Sequence, residues 1–95
     1  MTAKSLHELF IHELKDVYDA EHQIVDALQS LIRKSQAGEL RTAFELHLEQ
    51  TRGQIRRLEQ VFDMMGERPE RVPCKGMKGL IAEGESLMEE DADSD

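Results

Sequence analysis

The sequence predicts an all-α protein in which two long helices pair as an antiparallel hairpin and a short third helix follows. Good helix formers such as Ala, Leu, Glu and Lys are abundant, and the 95 residues include only two Pro and no Trp. Apolar side chains make up 39% of the chain and charged ones 34%, and the apolar ones recur three and four positions apart in two long stretches. A short Gly-containing segment between these stretches is typical of the turn in a helical hairpin.

The first helix is predicted to begin at Ser5, where Ser5 and Glu8 have the spacing of a capping box. Its apolar positions alternate in steps of four and three, which is the spacing of a heptad seam. The pattern ends at 35–38, which is predicted to form the turn. The predicted seam of this helix is Leu6, Phe10, Glu13, Val17, Ala20, Ile24, Ala27 and Leu31.

The second helix is predicted over residues 39–65 with the same alternating spacing. Gly66 follows at the position where helices commonly end, and Pro69 prevents the helix from continuing. If the turn is centred near residue 36 or 37, the two helices pair in antiparallel register. The predicted seam of the second helix is Leu40, Phe44, His47, Thr51, Gln54, Leu58, Val61 and Met65.

A third, shorter helix is predicted over residues 76–90. We expect it to pack through an apolar face that comprises Met77, Leu80, Ile81, Gly84, Leu87 and Met88. The acidic residues 91–95 are expected to form a disordered tail. The length of 95 residues suits a single domain, 1–95.

The net charge of −8 argues against nucleic acid and anionic membranes as partners, because both attract basic surfaces. Cys74 is the only cysteine, so the chain cannot form an internal disulfide. No secretory signal and no apolar run of membrane-spanning length is visible. A soluble, cytoplasmic protein is therefore the expectation.

Further apolar residues flank both predicted seams. Leu14 and Leu28 lie beside the first seam, and Leu48, Ile55 and Phe62 lie beside the second. Such a stripe is wider than the contact of two helices requires. We therefore expect further helices to pack there, and a homodimer that rebuilds a four-helix bundle is the simplest arrangement.

The middle of the predicted hairpin carries a polar layer. Glu21 shares a heptad position with Leu14 and Leu28, and the register places it opposite a group of polar residues on the second helix: His47, Gln50, Thr51 and Gln54. A buried carboxylate needs hydrogen-bonding partners or a metal ion. The layer is therefore either a metal site or a structural layer that fixes the helix register.

Other chemically competent residues fit solvated positions better. Asp19 and His22 have ligand-like spacing, but both are predicted to point outward, as are Glu45 and Glu49. Glu13 is expected to be partly exposed and to pair with Arg57. Cys74 has no His or second Cys nearby in the sequence, so it indicates neither a nucleophile nor a zinc site.

Three segments carry a resemblance to a known family. They are LFIHELKDVYDAEHQ at residues 9–23, HLEQTRGQIRRLE at 47–59 and CKGMKGLIAEG at 74–84. Together the chain resembles, from Leu6 to Glu90, the YciE/YciF family of bacterial ferritin-like proteins. The resemblance implies that the hairpin and third helix form half of a ferritin-like four-helix bundle.

The resemblance also implies a buried two-metal centre, with iron or manganese as cofactor, Fe(II) oxidation as a possible activity and a link to stress response. The metal ligands would correspond to Glu21, Gln54, Gln50 and His47. Many relatives carry Glu at the position of Gln50 or His at that of Gln54, and amides are weaker ligands. Relatives also continue into a second helical pair, so a complete centre here would need two chains, each contributing Glu21, or the sequence is a fragment.

Two functions remain open from the residues. The first is a di-iron type, ferritin-like protein that binds divalent metal and oxidises Fe(II) when dimerised. The second is a non-catalytic helical module for oligomerisation or binding, in which the polar layer only sets the register. The number of inward-facing carboxylates distinguishes them, because a di-iron bundle requires several and this sequence supplies few.

Overall fold

The computed structural model describes residues 2–93 and contains three α-helices. These are α1 (Ala3–Lys34), α2 (Glu39–Met64) and α3 (Lys75–Asp93), and the described residues include no strand. The predicted all-α class, with a long helical hairpin and a shorter third helix, is confirmed. Both long helices are amphipathic, so each has one side to bury against a partner.

The start of α1 differs from the prediction. Thr2 is the N-cap, and its Oγ1 accepts a hydrogen bond of 3.1 Å from the backbone N–H of Ser5. The predicted capping box at Ser5 and Glu8 is therefore wrong. The hydroxyl of Thr2 already satisfies a free amide of the first turn, so the helix begins before Ser5.

The end of α2 agrees with the sequence. Gly66 has φ of +71°, a left-handed conformation that glycine adopts without steric cost. The N–H of Gly66 donates to the carbonyl of Asp63 at 3.0 Å, and the N–H of Glu67 donates to that of Phe62 at 2.9 Å. This pair of bonds is a Schellman motif, which satisfies the last carbonyls of α2 and turns the chain back.

The core of the hairpin lies on one side of the predicted seams. Its buried cluster consists of Leu14, Tyr18, Ile55 and Phe62, with Val25, Leu58 and Val61 packed against it. Phe62 is fully buried, and its ring meets the ring of Tyr18 edge to face at a centroid distance of 5.3 Å. Ile11 and Leu28 extend the buried side of α1. The residues predicted as flanks thus form much of the contact between the two helices.

The prediction that this seam of α1 contacts α2 is wrong, because much of the seam remains exposed. Phe10 and Val17 are 48% and 45% exposed, and Leu6 and Leu40 are more exposed still. Two adjacent apolar stripes run along each helix, and periodicity cannot say which of them faces the partner within the chain. We call one side of the hairpin the open face. It carries Leu6, Phe10, Val17 and Leu40, and a pocket lined by Glu21 and Gln54 borders it.

Helix α3 packs against α1 only and makes no contact with α2 in the described part of the chain. Met77 and Ile81 are half-buried, whereas Leu80 and Leu87 are mostly exposed. The predicted packing through Leu80 and Leu87 is therefore wrong, and the side chain of Met88 lies outside the described part. Helix α3 also continues through residues 91–93, which the sequence placed in a disordered tail, and residues 94–95 lie outside the described residues.

None of the described helices combines the length and the apolar character that crossing a membrane requires.

Candidate functional site

Glu21 and Gln54 meet in a pocket between α1 and α2, as the predicted register requires. The pocket has a volume of about 350 Å³ and opens to the surface. Val17, Leu58 and Val61 supply its apolar walls, and Arg57 lies at its edge. The heptad position that Glu21 shares with Leu14 and Leu28, beside the predicted seam, brings its carboxylate to this apolar surrounding.

The carboxylate of Glu21 is poorly solvated. Burial raises its pKa above the ordinary value, and the nearby charge of His47 opposes that rise. Its Oε2 atom is buried and has no hydrogen-bond partner among the described residues. A buried acceptor without a partner costs roughly 1–3 kcal/mol, so the carboxylate is available to a proton, a cation or a donor from another molecule.

The other predicted site residues are less closely associated. His47 is exposed and acts on Glu21 only through its charge. Gln50 is also exposed and lines a separate concavity on α2, which it shares with Gln54. Thr51 is buried, but its hydroxyl donates to the carbonyl of His47 within the same helix at 2.8 Å. The structure thus places Glu21 and Gln54 in the lining of one pocket and leaves His47 and Gln50 at the periphery.

The described residues do not include a complete metal site. The described part of the chain contains no group of three or more His, Cys, Asp or Glu side chains placed to hold one ion. Di-iron bundles use carboxylates from several helices, and here the pocket has one carboxylate beside one amide. A di-iron centre at this pocket would need further donors besides these two residues.

An aromatic cluster beside the layer was missed at the sequence level. The hydroxyl of Tyr18 donates to Oε2 of Glu59 at 2.9 Å, and its ring packs edge to face on His22 at 4.6 Å. Burial and the bond to Glu59 raise the pKa of Tyr18. The sequence did contain a signal for this cluster, because Leu14, Tyr18 and Glu21 have the spacing of four and three that successive seam positions have.

Asp19 forms a polar joint between α1 and the segment that leads to α3. It is only 5% exposed, and its carboxylate accepts from Arg71 Nε at 2.8 Å, Cys74 N at 2.7 Å and Gln23 Nε2 at 2.7 Å. The prediction that Asp19 points into solvent is therefore wrong. The heptad pattern concerns the pairing of the two long helices. It gives no information about the loop that folds back over the other side of α1.

Further contacts join the neighbouring loop to α1. His22 is half-buried rather than solvated, and its Nε2 has no hydrogen-bond partner in the described structure. Gln23 Nε2 donates to the carbonyl of Cys74 at 3.0 Å, and Lys15 Nζ pairs with Glu70 at 3.0 Å. Burial alone would raise the pKa of Asp19, but the bonds from Cys74, Gln23 and Arg71 outweigh it and lower that pKa.

Two other predictions concern pairs on the surface. Glu45 is exposed as predicted and lies 3.6 Å from Arg41, and Glu49 is exposed as well. Glu13 is exposed, but it forms no ion pair with Arg57 among the residues that the structure describes. Arg57 instead borders the Glu21 pocket.

The fold and the site define the class of protein as a helical half-bundle. It consists of an amphipathic hairpin with a polar layer near its middle and a third helix packed against α1. The chain belongs to the family described as "Domain of unknown function (DUF892)", whose profile matches residues 5–95. This agrees with the resemblance to the YciE/YciF family drawn from the three sequence segments.

Relatives of known structure share this fold. The chain is 40% identical to protein YciF of Escherichia coli K12 over 90 residues, which is 94% of this chain and 54% of YciF. The crystal structure of the E. coli stress protein YciF matches 86% of this chain and 52% of that chain, with a TM-score of 0.76 and 41% identity. The structure of YcfI of Rhodopseudomonas palustris matches 95% of this chain and 55% of that chain, with a TM-score of 0.81 and 38% identity. The chain thus spans about half the length of these relatives.

Proposed function

We propose that this chain is an assembly module of a stress-related, YciF-like protein, in which a second copy covers the open face and completes a helical bundle. The observation that carries the proposal is the exposure of large apolar side chains on one side of the hairpin. Phe10, Val17 and Leu40 lie there, and burying such side chains is the main favourable term in helix association.

A second copy of the chain is the occupant that suits this face best. The open face carries exposed apolar side chains on both long helices, so a second copy presents a face of the same chemical character. In a two-fold symmetric contact the same patch meets itself, which requires an apolar stripe on both sides and tolerates a matched polar layer. The stress-related role comes from the E. coli relative, which is described as a stress protein.

Charge introduced on the open face tests this proposal. In the variant F10E/V17E two carboxylates replace exposed apolar side chains, and we expect sedimentation to show monomer where the parent is a dimer. The control is H12E, because His12 is exposed and lies two positions from Phe10, on the opposite side of α1. A dimer that persists in F10E/V17E would refute the role of the open face.

Divalent metal binding in the assembled layer is a second candidate function, and one observation favours it. Oε2 of Glu21 is buried without a hydrogen-bond partner, in a pocket that borders the open face. Two copies would bring two such carboxylates to the layer, together with Gln54 from each. Iron bound there would supply redox chemistry, including Fe(II) oxidation, whereas manganese would report binding alone.

Calorimetry with Mn(II) tests the metal candidate without redox complications. We expect Q54H to raise the affinity, because position 54 lines the Glu21 pocket and imidazole is a better ligand than an amide. Q50E is the matched comparison, because Gln50 lines a separate concavity, and we expect a smaller gain. Absence of binding in the parent and in both variants would refute metal binding and leave the assembly module alone.

A further inference from the structure

Three arginines on α2 form an exposed basic surface in a strongly acidic protein. Arg52, Arg56 and Arg57 are all exposed, while the chain as a whole carries a net charge of −8. The ion pairs of the described residues are Lys15–Glu70, Arg41–Glu45 and Arg71–Asp19, so none of them uses these three arginines. We call Arg52, Arg56 and Arg57 the arginine surface.

A concavity of about 600 Å³ lies beside the arginine surface. Arg56 and Arg57 line it together with Leu46, Gly53 and the single carboxylate of Glu49. A Cβ atom added at Gly53 would meet only Arg56 Nη2, at 3.7 Å, so the missing side chain leaves room for a neighbouring element. Leu46 is exposed, which gives the concavity an apolar wall.

Helix α3 has the complementary character. Between residues 83 and 93 it carries six acidic side chains and no basic one. Ile81 is the half-buried residue towards α1, while Leu80, Glu83 and Leu87 are exposed. Their spacing of three and four places these three on one side of the helix. This side of α3 thus combines two exposed leucines with the carboxylate of Glu83.

These two surfaces do not meet within one chain, because α3 contacts α1 and makes no contact with α2 among the described residues. We infer that α3 of one copy docks against the arginine surface and concavity of a second copy. Leu80 and Leu87 would face Leu46 and Gly53, and Glu83 would face Arg56. The inference rests on the proposed self-association and names a further contact that stabilises it.

A charge-swap cycle tests the electrostatic part of the contact. We expect R56E and E83R each to weaken dimerisation about fivefold to tenfold at 50 mM salt, because each turns an attractive pair into a repulsive one in both symmetric copies. R56E/E83R in one chain should restore the affinity, and the difference should shrink at 500 mM salt. The matched control is R33E, an exposed arginine near the end of α1 that changes the net charge equally.

The variant G53L tests the concavity itself. Position 53 is inside α2, where Leu is a better helix former than Gly, so the monomer should remain folded. The added side chain would occupy the space proposed for Leu87. We expect a stable chain whose dimer affinity falls at least tenfold, measured by sedimentation equilibrium with helicity followed by circular dichroism.

The outcomes separate this inference from the proposed function. A dimer that F10E/V17E disrupts but that R56E, E83R and G53L leave unchanged would overturn the α3 contact and support the open face. A dimer that responds to the charge swap with rescue, and to G53L, would support the α3 contact whatever F10E/V17E does. A helical monomer at every concentration would overturn both.

Discussion

Arg71 Nε lies 2.8 Å from Oδ1 of Asp19, although 52 positions separate the two residues in the sequence. The same carboxylate accepts the backbone N–H of Cys74 at 2.7 Å, one residue before α3 begins. Asp19 therefore fixes both the loop and the start of α3 against the back of α1. Because α3 buries few large apolar side chains, this joint is a principal determinant of its position.

Replacing the carboxylate should loosen the joint. In D19N an amide retains one acceptor but places an NH₂ group near donors, so at least one bond to Arg71 or Cys74 is lost. Hydrogen bonds to charged groups contribute roughly 1.5–3 kcal/mol, so we expect a loss of about 2 kcal/mol in the free energy of unfolding by urea. D26N, an exposed acid on the same helix, is the control and should be nearly neutral.

Acid should release the same joint. The pKa of Asp19 in the folded protein is lowered from its ordinary value of 3.8. The stabilisation is therefore complete above that ordinary value and is lost as the pH falls through the lower folded value. We expect the protection of amides in 70–80, relative to their intrinsic exchange rates, to fall below pH 4 in the parent, and D19N to show low protection already at pH 6. Equal exchange rates at pH 6 in both proteins would contradict the role of the joint.

The hairpin core is more deeply buried than α3, so we expect substitutions in these two places to change the free energy of unfolding by different amounts. Phe62 is fully buried, so F62A should lower the free energy of unfolding by about 3–5 kcal/mol, a large part of the stability of a chain of this size. Leu80 is 63% exposed, so L80A should change the stability of the monomer by less than about 0.5 kcal/mol. Thermal unfolding at a concentration where the chain is monomeric checks both values. A large loss in L80A would show that α3 packs more deeply than its exposure indicates.

The helices were predictable from the sequence because their signals are local. Gly66 and Pro69 ended α2, and the turn at 35–38 separated the long helices, within one or two residues of the observed bounds. The layer of Glu21 and Gln54 was also predictable, because a single antiparallel register fixes which positions meet. These features depend on spacing along one helix or on one turn.

The helix contact, the surroundings of Asp19 and the packing of α3 could not be predicted from the spacing of residues in the sequence. They depend on which of several surfaces meet in the folded chain. Phe10 and Val17 lie on one apolar stripe and Leu14 and Tyr18 on the next, and only tertiary packing decides that the second faces α2. Asp19 looked solvated because its partners, Arg71 and Cys74, come from a distant loop. Leu80 and Leu87 looked buried because amphipathic spacing predicts a contact but not which molecule provides it.

Glu21 offers a test that separates a structural layer from a metal site. Its carboxylate has a raised pKa and an unpartnered Oε2, so E21L should remove a desolvation penalty and increase the stability of the parent by about 1 kcal/mol. If the layer binds metal, E21L should also abolish Mn(II) binding in calorimetry. E8L, at an exposed position of α1, is the control for adding a Leu. Binding that survives in E21L would exclude Glu21 as a ligand.

The central claim is that the open face is an assembly surface for a second copy of this chain. Sedimentation equilibrium of the parent protein at micromolar concentration tests it most directly, with helicity measured on the same samples. We expect a helical species of twice the chain mass of 10.9 kDa, which dissociates on dilution. A fully helical monomer of 10.9 kDa that persists up to the highest soluble concentration would contradict it.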